Sequence, residues 1–285
     1  MTSDPLPIPH RELVEDSPEF HSEPPHFSHP RIPEDIRVPW GVWDLVLFVL
    51  LGVAATFIIG LLVVGVFVLF GMKLAAIEQS GRDQALVSIV AQVVIDVGLI
   101  GYLALQIRLR FLEPFWETIG WRRLDTGIIP RWIGFGGLVM SGVFVSFLVD
   151  AASGLYPPKG TLPIDAIYQD RLSSILFLLM AVLLAPVVEE TIFRGYIYPV
   201  IAKGWGTGWS ILITGALFGL LHGFQLGGAW WQIALLVMVG IVFTWVRSAS
   251  RTVVASYCMH LGYNSFLFVG FLASTHFLRQ MPVIH

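Results

Sequence analysis

Long runs of apolar residues, separated by short polar segments, organise the chain from about residue 41 onward. A helix needs about 20 predominantly apolar residues to cross a bilayer, and these runs approach or exceed that length. We therefore predict an all-α fold, a polytopic integral membrane helical bundle of about seven transmembrane helices. The predicted spans lie near residues 44–71, 85–107, 130–155, 172–203, 209–224, 229–246 and 253–273.

The fourth apolar run is longer than one span requires, and it contains Pro186 and Pro199. Proline lacks a backbone N–H and clashes with the preceding helical turn. We therefore expect a kinked or two-part helix at this position.

The first forty residues differ in composition from the rest of the chain. They contain nine prolines, and eight acidic residues against three arginines. Such segments bury too little apolar surface to offset the entropy lost on ordering. We predict a disordered, proline- and acid-rich tail over residues 1–40 and a transmembrane domain over residues 41–285.

Composition narrows the function classes. Of the 285 residues, 55% are hydrophobic and only 13% are charged, against about 25% charged in soluble domains. The single cysteine, Cys258, excludes an intrachain disulfide and a cysteine-based zinc cluster. The net charge is −3 and no basic block is present, so we expect the lipid bilayer as a partner and no nucleic acid.

Arginines are concentrated between the second and third apolar runs. The positive-inside rule places such a segment in the cytoplasm. This orientation also predicts a cytoplasmic N-terminus. The arginines concerned are Arg108, Arg110, Arg122, Arg123 and Arg131.

Ionisable side chains inside hydrocarbon cost at least about 2.5–3.5 kcal/mol each, so they mark functional candidates. Three of the C-terminal runs contain such residues together with an amide. They are Glu189, Glu190 and Arg194 in the fourth run, His222 in the fifth, and His260 and Asn264 in the seventh.

Helical rise tests whether these side chains can meet. At 1.5 Å per residue, Glu189, His222 and Asn264 each lie roughly 20 Å from the proposed cytoplasmic end of their run. His260 lies one turn from Asn264 on the same helix face. The four side chains can therefore surround one buried point.

The spacing also suggests roles. Glu190 and Arg194 are four residues apart in the favourable acid-before-base order, so we expect them to pair. Glu189 is then left as a free carboxylate that can take a proton from water while His222 orients that water. His260 and Asn264 can donate hydrogen bonds to the oxyanion formed on a peptide carbonyl.

A metal-dependent reaction is compatible with the same residues. Glu189, His222 and His260 make a three-ligand zinc set with an open position for water. The sequence does not separate water activated by glutamate from water activated by a divalent metal, so both chemistries remain open.

Three further features have simpler interpretations. Asp96 lies mid-span in the second run with no motif around it, so we predict a hydrogen bond to a neighbouring helix. Cys258 points to a different side of its helix from His260, which argues against a cysteine protease. The small-residue repeat predicts close helix approach beside His222. The repeat consists of Gly215, Gly219 and Gly223.

Three motifs in order resemble the CPBP family of intramembrane proteases, which includes type II CAAX prenyl endopeptidases and bacteriocin-processing and immunity homologues. They are Glu-Glu-x-x-x-Arg at 189–194, Phe-x-x-x-His at 218–222 and His-x-x-x-Asn at 260–264. The resemblance covers roughly residues 172–273 and implies a catalytic core in the C-terminal four helices. It also implies endopeptidase activity, a site open toward the cytoplasm, and a bacterial plasma membrane location. The implied catalytic residues are Glu189, Glu190, Arg194, His222, His260 and Asn264.

The leading hypothesis is an endopeptidase acting on membrane-associated or C-terminal, CAAX-like peptide or protein substrates. A non-catalytic immunity or assembly factor on the same scaffold is the alternative. The intact motifs favour the enzyme, because a scaffold has no reason to keep a buried Glu and two buried His that cost stability. A proton-coupled transporter would also need such residues, but no repeat relates the two halves of the chain.

Overall fold

The computed structural model describes residues 33–75 and 80–280, so the predicted tail over residues 1–32 lies outside the described residues. Within the described ranges the secondary structure is helical, without strands, which confirms the all-α prediction. Seven long helices lie close to the predicted runs. They are α1 (Val42–Leu69), α2 (Gly81–Arg110), α3 (Arg131–Ser153), α4 (Arg171–Trp205), α5 (Thr207–Leu221), α6 (Trp230–Ser250) and α7 (Val253–Ser274).

Five of these described helices, α1, α2, α3, α4 and α6, are long and apolar enough to cross a membrane. Helix α5 has only 15 residues. Helix α7 has 22 residues, but polar side chains such as His260 and Asn264 lower its hydropathy. The length and composition of the helices therefore support five of the seven predicted spans.

Helix α1 displays a surface that suits lipid. The side chains of Phe57, Leu61 and Leu69 are 74%, 75% and 86% exposed. Contiguous apolar surface of this extent is unfavourable in water. The exposed face is consistent with a polytopic bundle embedded in a bilayer.

Helix α4 is continuous through both prolines, so it is not divided into two parts, and the expected kink stays a prediction. Two π-helical segments, Met180–Leu184 and Thr191–Ile197, widen it. The N–H of Ala185 donates to Met180, five residues earlier, and Tyr198 donates to Phe193 in the same way. Each wide turn ends just before a proline, so the helix adjusts locally instead of breaking.

Glycines allow two helix pairs to approach closely. A Cβ added at Gly215 would lie 2.5 Å from Ile241 of α6, and one at Gly219 would collide with the α6 backbone. A Cβ added at Gly223 would lie nearest to the carbonyl oxygen of Leu220, in the preceding turn. Two of the three predicted glycines, Gly215 and Gly219, therefore form the close contact between α5 and α6. Gly142 and Gly262 bring α3 and α7 together in a similar way.

Residues 33–40 pack against the bundle, although composition assigned them to the tail. Trp40 is buried, and its indole N–H donates to the carbonyl of Tyr196 in α4 at 3.0 Å. Arg247 of α6 donates to the Asp35 carboxylate at 3.1 Å. The packed domain therefore begins before residue 41, because specific partners compensate for the unfavourable composition.

Candidate active site

A cavity of about 420 Å³ lies within the helical bundle. Its walls are mostly apolar side chains of α3, α4, α6 and α7. Four of the predicted site residues line it: Glu189, His222, His260 and Asn264. The structure thus brings together four side chains whose similar depths along their helices allowed them to meet. A largely apolar cavity with a few convergent polar groups is typical of a ligand site.

Glu190 and Arg194 form the predicted ion pair, with 3.0 Å between Arg194 Nη1 and Glu190 Oε1 and with both side chains fully buried. The guanidinium also donates to the carbonyl of Gly240 at 3.0 Å and lies 4.5 Å from the centre of the Phe218 ring. Neither residue lines the cavity. Glu190 and Arg194 are buried in the protein behind the cavity. A buried charge lowers stability strongly unless its ion-pair partner is present.

Glu190 also fixes the ring of His260. The Nδ1 atom of His260 lies 2.9 Å from Glu190 Oε1, the oxygen that accepts from Arg194. An ionised carboxylate only accepts hydrogen bonds, so Nδ1 carries a proton. The other nitrogen, Nε2, lies 3.7 Å from Oε2 of Glu189. His260 therefore joins the buried ion pair to the carboxylate in the cavity.

His222 lies in the turn that follows α5. Its Nδ1 lies 2.8 Å from the carbonyl oxygen of Phe218, one turn earlier. A carbonyl can only accept, so Nδ1 is the donor and Nε2 keeps its lone pair. The Phe218 ring lies 4.9 Å from the His222 ring and 5.8 Å from the His260 ring. Phe218 is thus a wall between the two histidines.

Asn264 has a partner that the sequence did not indicate. Its Nδ2 donates to the carbonyl of Ala181 in α4 at 2.7 Å. In a π-helical turn the carbonyl of residue 181 would accept a hydrogen bond from the backbone N–H five residues later. That residue is Pro186, which has no backbone N–H. Asn264 therefore supplies the hydrogen bond that the proline cannot. The second amide hydrogen remains for a ligand, and the oxyanion role remains a prediction.

Asp96 of α2 also lines the cavity. It accepts a hydrogen bond from Gln92 of the same helix at 2.7 Å, so the predicted bond to a neighbouring helix is wrong. Asp96 therefore shares the cavity with Glu189. Asp150 of α3 is a further lining residue that the motifs did not reveal. The sequence did mark Asp96 as unusual, because it is a charged residue in the middle of an apolar run.

The cavity extends from Glu189 toward one end of the bundle. The lining residues at that end are Asp150, Ser153, Tyr168, Gln225 and Gln232. They lie at the C-terminal end of α3, before α4, after α5 and at the start of α6, and Asp150 and Gln225 are exposed.

The arginine-rich segment between α2 and α3 lies at the other end of these helices. There Val253, at the start of α7, donates a backbone hydrogen bond to Gly120 of that segment. A cytoplasmic arginine-rich segment and a cavity that opens toward the cytoplasm are therefore incompatible expectations.

The candidate zinc ligands are Glu189, His222 and His260, and whether the protein uses a metal stays open. Among residues 33–75 and 80–280, no three His, Cys, Asp or Glu side chains are arranged to hold a metal ion. Glu189, His222 and His260 line the same cavity, with 3.7 Å between Glu189 Oε2 and His260 Nε2. Cys258 is buried and does not line the cavity.

Comparison with known proteins agrees with the site. Residues 171–266 match the family described as type II CAAX prenyl endopeptidase Rce1-like. No curated protein and no solved structure matches the chain. The matched segment runs from the start of α4 into α7 and contains all six predicted site residues. Residues 171–266 of this membrane protein are therefore similar to the Rce1-like type II CAAX prenyl endopeptidases, and this similarity is consistent with a CPBP-type intramembrane protease.

Proposed function

We propose that this protein is an intramembrane endopeptidase in which Glu189 activates water for attack on a peptide bond. The observation that carries the proposal is the convergence of Glu189, His222 and His260 on one cavity inside an apolar bundle. Ionisable groups at such positions lower stability, so their presence around one cavity supports a catalytic role.

In the first step, Glu189 acts as the general base. Water donates one hydrogen bond to the Glu189 carboxylate and the other to the Nε2 lone pair of His222. Transfer of the first proton to Glu189 breaks an O–H bond while the water oxygen bonds to the substrate carbonyl carbon. The apolar walls exclude competing water and strengthen these interactions.

In the second step, the negative charge moves to the carbonyl oxygen. His260 can donate from Nε2 when both ring nitrogens are protonated, and Glu190 at Nδ1 stabilises that cation. The second amide hydrogen of Asn264 is the other donor. One such donor is typically worth about 10²–10³ in turnover.

In the last step, the intermediate collapses. Glu189 returns its proton to the leaving nitrogen, the C–N bond breaks, and a carboxylic acid and an amine are released. Glu189 is then ready for the next turnover. This cycle uses no metal, which separates it from the zinc chemistry that the sequence left open.

The test uses the purified full-length protein and a library of quenched fluorescent peptides, with and without a chelator. We expect cleavage that survives the chelator, and its loss in Glu189→Gln, His222→Ala and His260→Ala. Glu113→Gln is the matched control, because Glu113 is exposed and does not line the cavity.

Two results would contradict this proposal. Cleavage that stops with the chelator and returns with added zinc would favour the metal-dependent mechanism. Folded wild-type protein that binds peptides without cleaving any of them would favour the non-catalytic alternative, an immunity or assembly factor.

A further inference from the structure

Tyr263 lines the cavity but is not one of the residues that define the three motifs. It lies on α7 between His260 and Asn264, and its side chain is only 5% exposed. The ring packs against Phe243 of α6, with 5.9 Å between the ring centres, in a cluster that also contains Val239. The ring of Tyr263 is therefore held in place as part of the cavity wall.

Tyr263 lies between the reacting groups and the mouth of the cavity, which is the end of the bundle that the cavity reaches at Asp150 and Gln225. Helix α7 begins at the opposite end, where Val253 contacts the arginine-rich segment, so higher residue numbers on α7 lie nearer the mouth. Tyr263 is three residues beyond His260, a rise of about 4.5 Å on the same helix face. A peptide that reaches the reacting groups from the mouth therefore passes Tyr263.

The hydroxyl of Tyr263 has no hydrogen-bond partner within the part of the chain that the structure describes. Its oxygen is not enclosed by protein, in contrast to the unpartnered hydroxyls of Ser146 and Thr214. A buried tyrosine hydroxyl normally has a partner, because removing it from water without one costs free energy. Tyr168 also lines the cavity, but it is partly exposed near the mouth, where water can satisfy it. The Tyr263 hydroxyl is thus available to a ligand in the cavity.

A peptide backbone needs donors as well as acceptors from the cavity wall. Asp96 and Glu189 present carboxylates, which only accept hydrogen bonds when they are ionised. His260 and Asn264 can donate, and in the proposed reaction both donate to the scissile carbonyl. The Tyr263 hydroxyl is a further donor on the same helix, so it suits a substrate carbonyl other than the scissile one.

We infer that Tyr263 is a substrate-binding residue whose hydroxyl donates a hydrogen bond to a backbone carbonyl of the peptide, between the scissile bond and the mouth of the cavity. This inference rests on the proposed peptidase activity. The bound carbonyl does not change during the reaction, so the hydrogen bond is the same in the ground state and in the transition state. Such uniform binding lowers KM without changing kcat.

The first test is Tyr263→Phe, which removes the hydroxyl and keeps the ring that packs against Phe243. A hydrogen bond typically changes an equilibrium constant by about fivefold, so KM for a cleaved peptide should rise by about that factor while kcat is unchanged. The free energy of unfolding should not fall, because the hydroxyl has no partner within the described chain.

Tyr257→Phe is the matched control on the same helix. Tyr257 packs against Trp121, with 5.2 Å between the ring centres, and does not line the cavity. Loss of its hydroxyl should leave both KM and kcat at the wild-type values. A rise in KM that is equal in the two variants would show a general effect of changing α7 and would overturn the inference.

Thioamide peptides identify the carbonyl that Tyr263 binds. Sulfur accepts hydrogen bonds more weakly than oxygen, so each non-scissile carbonyl of one cleaved peptide is replaced in turn by a thiocarbonyl. At the bound carbonyl, the replacement should raise KM about fivefold for wild-type protein and have little effect on Tyr263→Phe. A purely structural role of the ring would not produce this coupling.

Two further results would overturn the inference. Equal thioamide effects in wild-type protein and Tyr263→Phe at every position would show that the hydroxyl does not bind the substrate backbone. A loss of kcat with KM intact would make Tyr263 a transition-state donor instead of a substrate-binding residue.

The failure of this inference can be distinguished from failure of the proposed function. Glu189-dependent cleavage with the same KM in wild-type protein and Tyr263→Phe would overturn the role of Tyr263 and leave the peptidase intact. If wild-type protein cleaves nothing, the peptidase proposal fails, and binding of a fluorescent peptide, measured by anisotropy, tests the hydroxyl directly. A Kd about fivefold higher for Tyr263→Phe would support the backbone contact, and an equal Kd would overturn it.

Discussion

Replacing Asn264 by alanine should have two separable effects, on stability and on turnover. The substitution removes the 2.7 Å hydrogen bond from Nδ2 to the carbonyl of Ala181. Because Pro186 has no N–H to replace it, the carbonyl is left without this partner. Leaving a fully buried polar group unsatisfied costs about 1–3 kcal/mol, and this contact is partly buried, so we expect the free energy of unfolding to fall by about 1 kcal/mol.

The second effect is on the chemical step. If the remaining amide hydrogen of Asn264 stabilises the oxyanion, its loss should lower kcat by about 10²–10³. An interaction made only in the transition state lowers kcat and kcat/KM equally, so KM should change little.

Pro186→Ala separates these two effects. Alanine restores an N–H at residue 186, which can donate to Ala181 in the wide turn. In this background, Asn264→Ala should cost less stability and yet lose as much turnover as before. Unfolding in detergent micelles and steady-state peptide cleavage, combined as a double-mutant cycle, measure both.

Three results would refute this reasoning. Turnover that recovers together with stability in the double variant would make Asn264 a structural brace without a catalytic role. A rise in KM with kcat intact would make it a substrate-binding residue. The same loss of stability in both backgrounds would show that the Ala181 carbonyl is not the source of the cost.

Two further predictions concern the buried ion pair and the topology. Arg194→Met should destabilise the fold by about 3–5 kcal/mol, since it removes the guanidinium that compensates the buried Glu190 carboxylate, and adding Glu190→Gln should recover part of that loss. Unfolding of the single and double variants measures this, and equal losses would contradict it. In a Cys258→Ser background, cysteines placed within residues 110–125 should resist impermeant thiol reagents in intact cells while those near Lys159 react; the reverse pattern would overturn the predicted orientation.

The helices and the convergence of the motif residues could be predicted from the sequence, because each prediction uses only the residues of one apolar run. Apolar run length gives the spans, and a fixed rise per residue gives the depth of Glu189, His222 and His260. The wide turns of α4 could not be read in this way. In the first wide turn, the carbonyl of Ala181 accepts a hydrogen bond from Asn264, which lies on another helix, 78 residues beyond Pro186 in the chain.

Two other features depend on how the helices pack. Asp96 was visible as a charge, but its place in the cavity depends on the rotation of α2 against α4, which no spacing rule supplies. Residues 33–40 have the composition of a tail, yet Asp35 and Trp40 find buried partners. Average composition does not reveal individual contacts of this kind.

The contact between Asp35 and Arg247 spans 212 residues of chain. During synthesis, the segment near Asp35 leaves the ribosome long before α6 does, so it must wait until the helices between them are translated and inserted. Contacts of such high sequence separation form late and slow the completion of folding. The segment near Asp35 should therefore dock late in biogenesis, and until then the carboxylate partner of the Arg247 guanidinium is missing.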